Sequence, residues 1–262
     1  MTFKKFFLLH ERKHFITLAR FTEYVIDKLE DKISKKENGV RSGSVFKIPV
    51  GEYGTLKIKF YKGYSRRAHA QKNQWNEVQD SNSSVDAIYY PKKTNDDGGD
   101  DTIKDDGMIE VYVNPSKSKE YHYRDRKFED IVDASLPKFI KDKLRHELSH
   151  AYEDIIKDVA FYKTAQYDAH ETIEDYYNDD EEINANLNQF LTSELSINRD
   201  IMFKIQEGDI NGAVSAFIAK LKTQEFIKNI KPENKVWVLK TVYTFVRDLV
   251  EKRQQTQGLP QQ

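Results

Sequence analysis

The chain has 262 residues, 42 Lys and Arg against 43 Asp and Glu for a formal charge of −1, and 38% hydrophobic residues. That balance excludes a uniformly basic nucleic-acid coat, while the apolar content is sufficient to bury a core. Cysteine is absent, which excludes disulfides, thiolate zinc sites, iron–sulfur clusters and a cysteine nucleophile and leaves His, Asp and Glu as the only strong metal ligands.

The first residues, MTFKKFFLLHERKHF, place lysines before an apolar run, but His10, Glu11 and Arg12 end that run after Leu9. This is too short for a secretory leader, and no small-residue cleavage site follows, so an unsecreted, intracellular protein is expected. No stretch approaches the roughly 18 apolar residues of a membrane span. Phe15, Leu18, Phe21, Val25 and Leu29 recur at helical spacing, predicting one or two amphipathic helices over about 3–35 that end at Asn38 and Gly39.

Four strands are expected next. SVFKIPV (44–50) and TLKIKFY (55–61) flank the turn-like Gly51, Glu52, Tyr53 and Gly54 and read as a hairpin. SVDAIYY (84–90) and GMIEVYVN (107–114) follow, joined by an aspartate-rich loop. Beyond Pro115 the pattern becomes helical: Leu136, Phe139, Ile140, Leu144, Leu148, Ala151, Ile155 and Val159 trace one face.

Within that helix, residues 146–150 read His-Glu-Leu-Ser-His. Positions four apart lie one turn above each other, so His146 and His150 can turn imidazole nitrogens to one ion. Glu147, rotated by about 100°, is placed to meet a water at that ion without ligating it. A catalytic zinc needs a third protein ligand and an open position. Between Asp168 and Glu182 there are eight carboxylates and no Lys or Arg, a composition that also suits the acidic entry of a helix. Among them Glu182 is followed three residues later by the small Ala185. Glu182 is the preferred third ligand, with Glu181 and His170 as alternatives.

HELSH at 146–150 with EINA at 182–185 resembles the gluzincin class of zinc metallopeptidases, in which HExxH is completed by a glutamate on a later helix. The Glu182, Ala185 and Asn186 run is similar to that of ImmA/IrrE-like peptidases, and the Lys-, Asn-, Asp- and Tyr-rich composition looks like that of bacteriophage-encoded peptidases. The resemblance covers about residues 84–195 and implies an α+β, zincin-like fold: a small, mainly antiparallel or mixed sheet packed on the HExxH helix, with further N- and C-terminal helices. It implies a zinc endopeptidase acting on a protein or peptide, with His146, His150 and Glu182 on zinc and Glu147 as general base. A donor to the tetrahedral oxyanion is also required, for which Tyr176, Tyr177 and His170 are near in sequence. A rival completion through His170 resembles SprT-like proteases, although Glu171 stands where that family usually has Gly. The metzincin pattern fails, because Glu153 and Ile156 replace its Gly and His.

The organisation expected from these readings is an N-terminal helical segment over 1–38, a catalytic domain over 39–195, C-terminal helices over 196–252 and a flexible tail over 253–262. Charge is uneven along it: residues 1–72 hold 17 Lys and Arg against 7 Asp and Glu. KFYKGYSRR (59–67) interleaves aromatics with cations, as single-strand nucleic-acid binders do. Three functions follow: a zinc peptidase, a virion or assembly protein that keeps the scaffold, and a nucleic-acid-associated protease. The chain is accordingly expected in the cytoplasm, or in the virion if it is phage-encoded.

Overall fold

In the computed structural model the described residues are 3–37, 39–51, 54–63, 85–90, 107–115, 125–157 and 177–257, excluding the side chains of 3–17, 156, 157, 181, 256 and 257. They form an α+β protein with a mixed four-stranded sheet and eight helices. The chain divides into two compact units, one of residues 21–164 and the other of residues 1–20 with 165–262.

The first helix, α1 (Phe3–Ser34), runs as a single element. Its residues Val25, Ile26, Leu29 and Ile33 join the core of the 21–164 unit. Gly39, at φ 64°, then turns the chain into the sheet. The strands are β1 (Ser44–Pro49), β2 (Thr55–Lys62), β3 (Val85–Tyr90) and β4 (Met108–Val113), in the order β1-β2-β4-β3. The expected hairpin is present: β1 and β2 pair antiparallel, with Phe46 opposite Ile58 and Ile48 opposite Leu56. β3 and β4 also pair antiparallel. The parallel pairing of β4 with β2 makes the sheet mixed.

Strict alternation gives the sheet two unlike faces. Phe46, Ile48, Leu56, Ile58, Phe60, Ala87, Tyr89, Ile109 and Val111 are buried on one, and the residues between them are half-buried or exposed on the other. After a short helix, α2 (Phe128–Ile131), helix α3 (Lys138–Lys157) packs on β3 and β4. Its Ile140, Leu144, Leu148 and Ala151, spaced by three or four, share the core with the sheet's buried face. They are four of the eight residues the sequence periodicity marks; Leu136 joins the same core, Phe139 and Ile155 pack against it partly buried, and Val159 lies outside the described residues.

The described residues of the other unit from 177 onward are helical: α4 (Asp180–Ile197), α5 (Arg199–Glu207), α6 (Ile210–Leu221), α7 (Glu225–Asn229) and α8 (Pro232–Gln257). Each break has a local cause. Asn198 caps α5 by accepting from the Ile201 N–H, Gly208 ends it in the left-handed conformation at φ 79°, and Asp209 caps α6 through the Gly212 N–H. Pro232 opens α8, where its missing N–H costs nothing. Phe217 meets Phe190 and Phe245 edge-on at 6.0 and 6.3 Å, which fixes α4, α6 and α8 together. Helix α8 continues to Gln257, into the stretch expected to be a tail, because Glu, Lys, Arg and Gln are good helix formers. Among the described residues no helix is long and apolar enough to cross a membrane.

Candidate metal centre

Helix α3 buries an unusual run of polar side chains: Arg145, His146, Glu147, Ser149 and His150 are all 9% exposed or less. Such groups are costly inside a protein unless each finds a partner. Arg145 is bound by Glu23 of α1, Nε to Oε1 at 2.9 Å, and by Asp142 one turn earlier at 3.1 Å. Ser149 donates to the Arg145 carbonyl at 2.9 Å, a bond internal to the helix. The N-terminal part of α3 is fixed to α1 as well: Glu30 accepts from the Leu136 N–H at 2.7 Å and pairs with Lys141 at 2.9 Å.

The two histidines face each other. Nε2 of His146 lies 3.3 Å from Nε2 of His150, with the rings inclined at 78°. Two imidazole nitrogens bound to one tetrahedral zinc at about 2.0–2.1 Å stand about 3.3–3.4 Å apart, so the pair suits a metal without moving. The same separation is met when one ring donates N–H to the other. Glu147 turns towards the sheet, and its Oε2 accepts from the backbone N–H of Tyr89 at 2.8 Å. The Tyr89 hydroxyl in turn bonds Asp154, seven residues after Glu147 and thus two turns along the same side of α3. One residue of β3 therefore holds α3 at two points, by main chain at the glutamate and by side chain at Asp154.

β3 is an edge strand, and open edges invite pairing with other chains. Two of its donors are taken by carboxylates: the Ala87 N–H by Asp86 at 2.9 Å and the Tyr89 N–H by Glu147. Burial raises the carboxyl pKa of Asp86, while the charge of Lys143 and the Ala87 N–H work against the rise.

Glu182 lies at the start of α4, half-buried, two residues before the half-buried Asn184 and three before the fully buried Ala185. Asp179 caps this end: its side chain accepts from the Glu182 N–H at 3.4 Å and its carbonyl from the Ile183 N–H at 2.9 Å. Asn186 donates back to the Glu182 carbonyl at 2.7 Å. A carboxylate in the first turn is favoured by the helix dipole. Tyr177, half-buried, has its pKa raised by burial first and then by the charges of Glu225 and Glu182, so it remains a protonated O–H donor near neutral pH. His170, Tyr176 and the Glu181 side chain lie outside the described residues.

The reading from sequence names His146, Glu147 and His150, which lie together on α3, and does not name Tyr89 or Asp154, which contact Glu147 and Tyr89 in turn. The spacing of Glu147 and Asp154 is visible in the sequence; their common partner on a strand 58 residues earlier than Glu147 is not. No protein-family model, curated protein or solved structure matches the chain.

Proposed function

We propose that the protein is a zinc-dependent metallopeptidase of zincin-like fold, in which His146 and His150 hold the metal and Glu182 is the third ligand that the sequence pattern assigns. The observation that carries the reading is the 3.3 Å approach of two buried imidazole nitrogens on one turn of α3, beside a buried glutamate whose direction is fixed by the Tyr89 N–H. The HExxH spacing and the later Glu182 and Ala185 supply the rest of the pattern.

Bound zinc would polarise the scissile carbonyl and make the attacking water more acidic. Glu147 takes the proton from that water as it attacks and passes it to the nitrogen of the departing amine. Its hydrogen bond from the Tyr89 N–H fixes the direction of one carboxylate oxygen. For the developing oxyanion, Tyr177 is the one of the three donors near the motif in sequence that falls among the described residues.

The test is metal content and cleavage of a peptide library, wild type beside Glu147→Gln in metal-defined samples. The expected result is equal zinc content with cleavage reduced about 100- to 10,000-fold in the variant. Unchanged turnover would remove Glu147 from the role. Zinc binding without cleavage by the wild type would leave a metal protein that is not a peptidase.

A further inference from the structure

The described part of KFYKGYSRR, residues 59–63, is divided by the sheet, while residues 64–67 lie outside the described residues. Phe60 points into the core, fully buried, whereas Lys59 and Tyr61 belong to the opposite, half-buried face. On that face Tyr61 lies directly across from Tyr112 of β4, and their rings stack with centroids 5.1 Å apart and planes 14° from parallel. Both hydroxyls bond Glu110, Tyr61 at 3.3 Å and Tyr112 more closely, which fixes the pair in plane. The Lys59 ammonium lies 4.6 Å from the centre of the Tyr61 ring, and Lys59 is also the cross-strand neighbour of Glu110.

The β1–β2 half of the same face is basic. Lys47 of β1 stands directly opposite Lys57 of β2, with Lys59 two residues along and opposite Val45. Two ammonium groups in directly opposed positions repel, and a phosphate accepts from both. The face thus joins three lysines on two adjacent strands to a rigid aromatic pair at one end. Two carboxylates lie beside the tyrosine pair: Glu110, engaged by the two phenol hydroxyls, and Asp86, across from Tyr112 on β3, which accepts from the Ala87 N–H.

We propose that this face of the sheet, formed by Lys47, Lys57, Lys59, Tyr61 and Tyr112, binds single-stranded nucleic acid, with phosphates on the lysines and a base stacked on the tyrosine pair. Unpaired bases are required because a duplex keeps its base faces covered, whereas an extended strand offers them to aromatic rings while its backbone follows a basic groove. Raised pKa at Tyr112, caused by burial and then by its bond to Glu110, keeps that phenol neutral and suited to an anionic neighbour.

The experiment is fluorescence anisotropy of a labelled oligothymidine of about 20 nucleotides with the full chain, at about 50 and 200 mM salt. Wild type is expected to bind the single strand more tightly than a duplex of the same length and to weaken as salt rises. Lys47→Ala with Lys59→Ala should reduce the slope of log affinity against log salt by about 2. Tyr61→Leu should weaken binding at least about fivefold with little change in that slope. Thermal melts establish that both variants are folded. Absence of salt-sensitive binding at 50 mM, binding that neither variant alters, or equal binding of a poly-glutamate peptide unaffected by Tyr61→Leu would each overturn the proposal.

Discussion

On α3, Arg145 reaches Glu23 on α1, 122 residues away, Glu147 reaches the main chain of β3, and His146 and His150 turn their ring nitrogens to each other. On α4 the buried Thr192 instead donates to the carbonyl of Asn188, one turn back at 2.6 Å. Both helices bury polar side chains where apolar ones would be the simpler choice. The Thr192 bond satisfies the side chain within its own helix, and Ser149 on α3 makes a bond of the same local kind. The glutamate and arginine of α3 fix the helix against distant elements, so that the histidine pair is held in a set direction. Burial alone does not mark a functional polar group; the sequence distance to its partner is more informative.

That contrast is broken most severely at the histidines. His150→Ala removes one of the two facing nitrogens and is expected to lower zinc affinity more than about 100-fold, beyond what losing a ligand's neighbour costs, and to abolish cleavage. Thr192→Val removes a self-contained bond of similar burial and is expected to leave zinc content and cleavage unchanged, at a stability cost of about 1 kcal/mol. Metal analysis of the two purified variants decides the matter. Stoichiometric zinc in His150→Ala, or its loss in Thr192→Val, would erase the distinction between the helices.

A smaller effect is expected at Tyr89→Phe. The substitution deletes the hydroxyl that bonds Asp154 and keeps the backbone N–H that bonds Glu147. Zinc content should be unchanged and KM little altered, while kcat falls about tenfold as the strand loosens from the helix. A merely structural hydroxyl would change the melting temperature and not kcat. Equal kcat in both proteins would mean that other contacts orient Glu147.

How far the sequence reveals these features depends on how local their causes are. The strands of the sheet are legible because apolar residues alternate in TLKIKFY and GMIEVYVN, and the buried face of α3 because Ile140, Leu144, Leu148 and Ala151 keep helical spacing. His146, Glu147 and His150 are legible for the same reason, since their chemistry follows from positions one and four apart on one helix. The entry of β4 between β2 and β3 is not, because alternation says which face a residue takes and not which strand lies beside it. The division of Phe60 from Tyr61 is implicit in the alternation, yet it is hidden when the segment is read by composition alone. Tyr89 leaves no trace at all: its decisive atom is a main-chain nitrogen, which every residue but proline has.

The smallest predicted effect concerns Asp86, which like Glu147 is a carboxylate bonded to a donor of β3. Burial raises its pKa above the ordinary value near 3.8, so the folded chain holds this proton more tightly than the unfolded chain does. Its contribution to stability is therefore complete below the unfolded value and is lost as pH rises through the folded one, where a charge must be kept in a poorly solvated place. Asp86→Asn retains an oxygen that can accept from the Ala87 N–H and removes the charge. The variant should melt above wild type at pH 8, and its advantage should shrink as pH falls towards 4. Thermal melts of both proteins across that range test the sign directly. An advantage that is constant with pH would show that Asp86 titrates alike in the folded and unfolded chains, and an advantage that grows on acidification would mean that Lys143 and the Ala87 N–H outweigh burial at this strand edge.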